Sequence, residues 1–187
     1  MIKAGQIGKG MCLIIKQQPY LVAEREFVNP GKGAAFVKVK LKNLRSGQVL
    51  RETIKTSDSV EEADVFPRDG QFMYADAEAY HFMDTDTYEQ FTVAKNGLED
   101  KEQYMKEGET YKIVMWEETP IDIELPLKVV YEVTQAEDAL KGDTVTGATK
   151  LVAVETGLTV KVPIFIKQGE RILVNTETGE YVERVNN

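Results

Sequence analysis

Leu158-Thr159-Val160-Lys161-Val162-Pro163-Ile164-Phe165-Ile166 alternates with a strict period of two. Successive side chains of a β-strand point to opposite faces, so Leu158, Val160, Val162, Ile164 and Ile166 share one face and Thr159, Lys161, Pro163 and Phe165 the other. Pro163 has no N–H to give to a ladder, which predicts an edge strand or a bulge. Segments of the same kind recur at residues 11–15, 20–28, 35–41, 71–74, 111–116, 121–125 and 128–133, each of strand length and rich in β-branched or aromatic residues. Turn signals stand between them: Pro30-Gly31, Ser46-Gly47, Asp69-Gly70, Asn96-Gly97 and Thr178-Gly179. One helical candidate, residues 97–106, is short and thin in apolar content. The spacing predicts a mainly β protein built of small barrels rather than one large sandwich. Breaks near Glu61-Glu62-Ala63 and near Pro126 predict domains at 1–62, 63–126 and 127–187, small for barrels but feasible.

Hydrophobic residues make up 42% and charged residues 29% of the 187-residue chain, an ordinary globular balance that argues against disordered and collagen-like classes. No apolar run approaches the roughly 18 residues of a membrane helix. No apolar signal-peptide segment follows Met1, so a soluble cytoplasmic protein with no membrane partner is expected. One cysteine, Cys12, allows no internal disulfide, and one histidine, His81, allows no His-based or Cys/His metal cluster within one chain. No metal, no cofactor and no catalytic residue is expected. Cys12 reads as a small core residue in an apolar run, and His81, between Tyr80 and Phe82, as structural.

The net charge of −8 is unevenly spread. Residues 1–62 carry eleven Lys/Arg against six Asp/Glu, net +5; residues 63–126 carry five against sixteen, net −11; residues 127–187 carry seven against nine, net −2. A basic first third joined to an acidic middle suits a molecule that presents one end to a polyanion, although charge also drifts between domains without functional cause.

Within the basic third, Asn29-Pro30-Gly31-Lys32-Gly33 separates two strand candidates. Pro at the second position and Gly at the third suit a type II turn with positive φ at Gly31, which would place Lys32 at the apex of a β-hairpin. In the second strand Val37, Val39 and Leu41 alternate with Lys38, Lys40 and Lys42, which predicts three lysines on its outer face. The pattern fits an RNA-backbone contact and equally an ordinary solvated turn. It is not a phosphate-binding P-loop, because the long G-x-x-x-x-G-K-[ST] spacing and the helix after it are absent.

End to end, the sequence resembles bacterial translation elongation factor P. The resemblance is carried by Glu26-Phe27-Val28-Asn29-Pro30-Gly31-Lys32-Gly33-Ala34-Ala35-Phe36, by residues 40–47, and by His81-Phe82-Met83-Asp84 with Tyr88-Glu89-Gln90. It continues through Lys141-Gly142-Asp143-Thr144 with Gly147, Thr156-Gly157 with Val160-Lys161-Val162-Pro163, and Gly179-Glu180-Tyr181-Val182. It implies a KOW/SH3-like first barrel followed by two OB-fold barrels in a bent, transfer-RNA-like arrangement. Retention of Pro30-Gly31-Lys32-Gly33 favours the factor itself over the elongation-factor-P-like paralogue, and the presence of residues 127–187 points to the bacterial form. Asn29 stands where the family often has a basic residue, and residues 150–157 lack the usual Lys-Pro-Ala start.

For function, the resemblance implies a factor that binds the 70S ribosome between the peptidyl and exit sites and contacts ribosomal RNA and the peptidyl transfer RNA; a monomer is expected, with which the acidic surface is consistent. Such factors relieve stalls at consecutive prolines. Lys32 matches the tip residue that commonly bears a covalent extension, which implies a lysine-modifying enzyme as a further partner, with Asn29, Pro30, Gly31 and Gly33 forming the loop around it. Lys38, Lys40 and Lys42 are candidate RNA-backbone contacts. Gly142, Asp143, Thr144 and Gly147, together with Tyr181 and Arg184, match segments that approach the small subunit and messenger RNA, while Tyr181 fits a barrel wall equally well. Two other classes stand beside this one: an RNA-binding β-barrel protein acting away from the peptidyl-transferase centre, and an enzyme using Lys32 as a nucleophile. The last would need a desolvated or cation-crowded lysine, which a glycine-flanked hairpin tip does not offer.

Overall fold

The computed structural model describes residues 1–136 and 148–186. Every strand pair among the described residues is antiparallel, the pairing that short hairpin connections allow. In the first sheet, β1 (Ile2–Lys3), β2 (Cys12–Ile15), β3 (Gln18–Val28), β4 (Phe36–Asn43), β5 (Val49–Lys55) and β6 (Ser59–Glu62) lie in the order β1-β6-β2-β3-β4-β5. Its core joins Ala4, Ile7, Leu13, Val22, Val37, Val39 and Leu41. The alternation along β4 is realised: Val37, Val39 and Leu41 are buried while Lys38, Lys40 and Lys42 take the opposite face.

In the second sheet, β7 (Val65–Ala75), β8 (Ala79–Asp84), β9 (Gln90–Ala94), β10 (Thr110–Trp116) and β11 (Thr119–Glu124) run in the order β11-β10-β7-β8-β9, and β9 also approaches β11, as a small barrel requires. Phe72, Tyr80, Phe82, Ile113 and Ile123 are buried there. Phe72 stands edge-on to Tyr80 at 6.3 Å, and the Tyr80 hydroxyl donates to the Leu98 carbonyl at 3.0 Å, so the buried phenol keeps a partner. The third sheet, β12 (Lys128–Ala136), β13 (Thr149–Val154), β14 (Thr159–Pro163), β15 (Arg171–Asn175) and β16 (Tyr181–Val185), runs β14-β13-β12-β15-β16. Its core includes Tyr131, Val133, Leu158, Val160, Val162, Ile166 and Ile172.

By compactness the described residues form two units, one of residues 1–99 and 110–124, the other of residues 100–109, 125–136 and 148–186. Residues 100–109 are held within the second unit: Tyr131 Oη donates to the Tyr104 carbonyl at 2.7 Å, Thr156 Oγ1 to the Gln103 carbonyl at 2.6 Å, and Lys106 pairs with Glu155 at 2.7 Å. Among the described residues no helix is long and apolar enough to cross a membrane.

Three local expectations differ. The strand expected over 158–166 is paired only to Pro163, at the edge of its sheet as Pro163 required, and Ile164 N–H instead bonds the Ala148 carbonyl at 3.2 Å. The helix expected at 97–106 is a 3-10 helix, Glu99–Tyr104, framed by buried Leu98 and Met105. Cys12 is outside the core, because its neighbour Leu13 occupies the inward position of β2; it is half-buried, and burial, then Asp122 and Glu62, push its thiol pKa up.

Candidate functional site

β3 and β4 pair from Tyr20↔Asn43 out to Val28↔Phe36, leaving residues 29–35 as the connecting loop. The loop is anchored on one side, where the Ala35 carbonyl accepts both the Thr56 N–H and its Oγ1–H at 3.0 Å. Residues 29–34 are all exposed. The expected type II turn is not formed. Gly31 N–H bonds the Asn29 carbonyl only two residues back, at 3.1 Å, and the left-handed step falls at Gly33, φ 114°. The physical reason is that a seven-residue loop does not need the tight four-residue reversal, so the glycine conformation is used later, where the chain turns back toward Ala35.

Lys32 therefore sits at the exposed apex, with no bonded partner among the described residues. A Cβ added at Gly31 or at Gly33 would meet nothing within 4 Å. Gly33 has its positive φ as a reason to be glycine; Gly31 has neither strain nor crowding to demand it. What glycine does at both positions is keep the backbone beside Lys32 bare.

Below the tip, the lysines of β4 are not a bare cationic face. Lys38 pairs with Glu26 at 3.7 Å and Lys40 with Glu24 at 2.7 Å, both across the β3–β4 ladder. The Lys40 hydrogen bond holds the Glu24 carboxyl below its ordinary pKa. Lys42 Nζ donates to the Gly97 carbonyl. The outer face is thus a mixed lattice to which exposed Arg51 and Lys55 add positive charge from β5. On the other face of β3, Arg25 donates to the Gly5 carbonyl at 3.1 Å and lies 5.8 Å from the Phe27 ring centroid. Such exposed pairs add little stability individually, and they link β3 to β4 on the outer face of the stem.

The remaining candidates belong to other segments of the chain. Tyr181 is partly buried against the third core, as a barrel-wall residue. Arg184 pairs with Glu170 at 3.0 Å and lies 5.8 Å from the exposed Phe165 ring. Gly142, Asp143, Thr144 and Gly147 lie outside the described residues. His81 Nε2 meets Asp76 Oδ2 at 2.6 Å and its ring stacks on the Tyr74 ring at 4.3 Å, beside the β7–β8 turn. That bond, with the Glu78 and Ala79 N–H groups, lowers the Asp76 pKa to about 2. Among the described residues no group of three or more His, Cys, Asp or Glu could hold a metal.

One constellation escaped sequence reasoning. Ser46-Gly47 and Asn96-Gly97, read only as turn signals, bring the two loops into contact, with Lys42 and Arg45 on one side and Asn96 and Trp116 on the other. Two X-Gly turns 50 positions apart carry no sign in sequence that they touch.

Comparison with known proteins gives three family models matched in chain order: the elongation factor P KOW-like domain at residues 3–60, the elongation factor P OB domain at 65–123, and the elongation factor P C-terminal model at 129–184. An elongation factor P from Treponema denticola is 56% identical over 186 residues, covering 100% of both chains. Another, from Borrelia hermsii, is 49% identical over 187 residues, covering 98% of this chain and 97% of its own. Among solved structures, eukaryotic translation initiation factor 5A from Methanococcus jannaschii is similar in fold, with a TM-score of 0.50 at 20% identity over 66% of this chain and 92% of that one.

Proposed function

The chain belongs to the elongation factor P family of translation factors, and from that premise we propose that it binds the 70S ribosome between the peptidyl and exit sites and relieves stalling at consecutive prolines through Lys32. The observation that carries this reading is Lys32, without a partner among the described residues, at the exposed apex of a hairpin whose strands are cross-linked by ion pairs, between two glycines that open onto empty space.

A lysine offers three donors on a flexible stem. Against the acceptor-rich CCA end and backbone of a peptidyl transfer RNA, a charged donor makes hydrogen bonds stronger than neutral ones. A covalent extension of Lys32 by a modifying enzyme would lengthen that reach. The bare backbone at Gly31 and Gly33 lets an RNA strand approach without a side chain in the way. The gain is positional: proline is a poor donor and acceptor, and restraining the peptidyl transfer RNA removes entropy before the ribosome's own chemistry. No residue of this chain acts as a catalyst in this reading.

The division into domains at 1–62, 63–126 and 127–187 belongs to the same proposal, with the middle one as a spacer, since net −11 suits it poorly to phosphate. So do a monomeric state, a cytoplasmic location, and small-subunit contacts through Gly142, Asp143, Thr144, Gly147, Tyr181 and Arg184. Lys38 and Lys40 would reach RNA by exchanging a glutamate for a phosphate.

The test is a toeprint of reconstituted bacterial ribosomes on a message with three consecutive prolines. Protein purified from its own cells should clear the stall and Lys32→Ala should not. A stall unchanged by the wild-type protein would refute the proposal and leave an RNA-binding barrel acting elsewhere.

A further inference from the structure

The loop after β4 and the loop after β9 meet backbone to backbone. Gly47 (φ 72°) and Gly97 (φ 74°) approach so closely that a Cβ on Gly47 would lie 2.9 Å from the Gly97 N and Cα, and one on Gly97 would lie 2.8 Å from the Gly47 Cα and 2.9 Å from the Lys42 Cε. Backbone cannot yield to such contacts as a side-chain end can. Only glycine satisfies the conformation and the contact together.

Three further interactions close around this point. Lys42 Nζ donates to the Gly97 carbonyl, Asn96 Nδ2 donates to the Arg45 carbonyl at 3.2 Å, and the Arg45 guanidinium lies 5.0 Å from the Trp116 ring centroid. The Gly47 side is closed by its own hydrogen bonds. Buried Asn43 Oδ1 accepts the Arg45 and Ser46 N–H groups at 2.8 and 2.9 Å, and Gly47 N–H donates to the Asn43 carbonyl at 2.9 Å.

Asn43 ends β4, and Phe36, where β4 begins, borders the Lys32 loop. One strand therefore has the glycine contact at one end and the tip at the other. At about 3.4 Å per residue its eight residues span about 24 Å, so a tilt of about 5° at the Asn43 end moves the Phe36 end by about 2 Å. We infer that Gly47 and Gly97 are positioning residues: their backbone contact, clasped by Lys42, sets the direction in which the Lys32 hairpin leaves the acidic second sheet. The functional half of this inference rests on the ribosomal reading above; the geometric half does not.

The experiment uses the full chain and two readouts. Residual dipolar couplings of amides in the first and second sheets report their relative orientation, and the triple-proline toeprint reports function. Wild type should give one fixed relation between the sheets. Gly97→Ala and Gly47→Ala should keep each sheet's internal couplings, rotate one sheet against the other, and lower stall relief by up to about a hundredfold, the scale on which small misplacements act. Gly10→Ala, at φ 88° with nothing within 4 Å, imposes similar backbone strain without the contact and should leave both readouts at wild type. Lys42→Met, which opens the clasp without touching either glycine, should give a smaller rotation and decides the matter if the alanine variants do not fold.

An unchanged orientation in Gly97→Ala, or in Lys42→Met where that variant decides, overturns the inference whatever the ribosome does. Rotation with full stall relief overturns the positioning role. If wild type itself fails to relieve the stall, the ribosomal reading falls, and the couplings still decide the geometric claim.

Discussion

Asn43→Ala removes an acceptor from a 7%-exposed position at the end of β4. Two bonds are lost, from the Arg45 N–H at 2.8 Å and the Ser46 N–H at 2.9 Å. Hydrogen bonds of this kind contribute about 0.5–1.5 kcal/mol each. Arg45 and Ser46 are exposed, so water reaches the freed donors and the expected loss is about 1–2 kcal/mol rather than the full penalty for buried unpaired groups. Urea unfolding followed by the fluorescence of Trp116, the single tryptophan, reads this directly, because that ring lies in the same compact unit beside Arg45. With a slope of about 2 kcal/mol per molar, the midpoint should fall by about 0.5–1 M. Asn43→Asp keeps the acceptor oxygen and should recover most of the loss. A midpoint within about 0.1 M of wild type for Asn43→Ala, or an aspartate as damaging as the alanine, would refute the assignment of the turn's rigidity to this side chain.

Along β4 the two faces should respond differently: Leu41→Ala, at a fully buried site, should cost about 2–5 kcal/mol by denaturant melts, whereas Lys38→Ala, from an exposed 3.7 Å pair, should cost under about 1 kcal/mol. Asp76 has a folded pKa lowered from 3.8 to about 2, chiefly by His81, so its stabilising effect is complete above about pH 4 and is lost as the pH falls through 2. Thermal melts across that window should show a slope that Asp76→Asn flattens. Because burial raises the Cys12 pKa, its reaction with a disulfide reagent at pH 8 should be slower than that of a free thiol and should accelerate on unfolding.

How much of this could be read beforehand varies with the kind of information each feature needs. Period-two alternation exposed β4 because Val37, Val39 and Leu41 face one core while lysines face outward. It missed β5, where Leu50, Glu52 and Ile54 alternate only in partial burial, and β16, which packs Tyr181 alone against a core. Those strands owe their existence to partners across the ladder rather than to their own pattern. The apex position of Lys32 followed from the chain around it, whereas the glutamates that neutralise Lys38 and Lys40 follow from register, which local spacing does not report. The Gly47–Gly97 contact is wholly a matter of tertiary geometry.

Among the described residues, 29–34 are all exposed, and a Cβ at Gly31 or Gly33 would meet nothing within 4 Å, so the Lys32 loop contributes little to the packing of the fold. Substitution or chemical elaboration at Lys32 therefore changes what the hairpin presents at little expense in folding free energy, whereas Gly33, at φ 114°, keeps a conformational reason to be glycine. The side chain at position 32 can be re-equipped, by mutation or by an attached group, without a compensating change in the barrel that carries it.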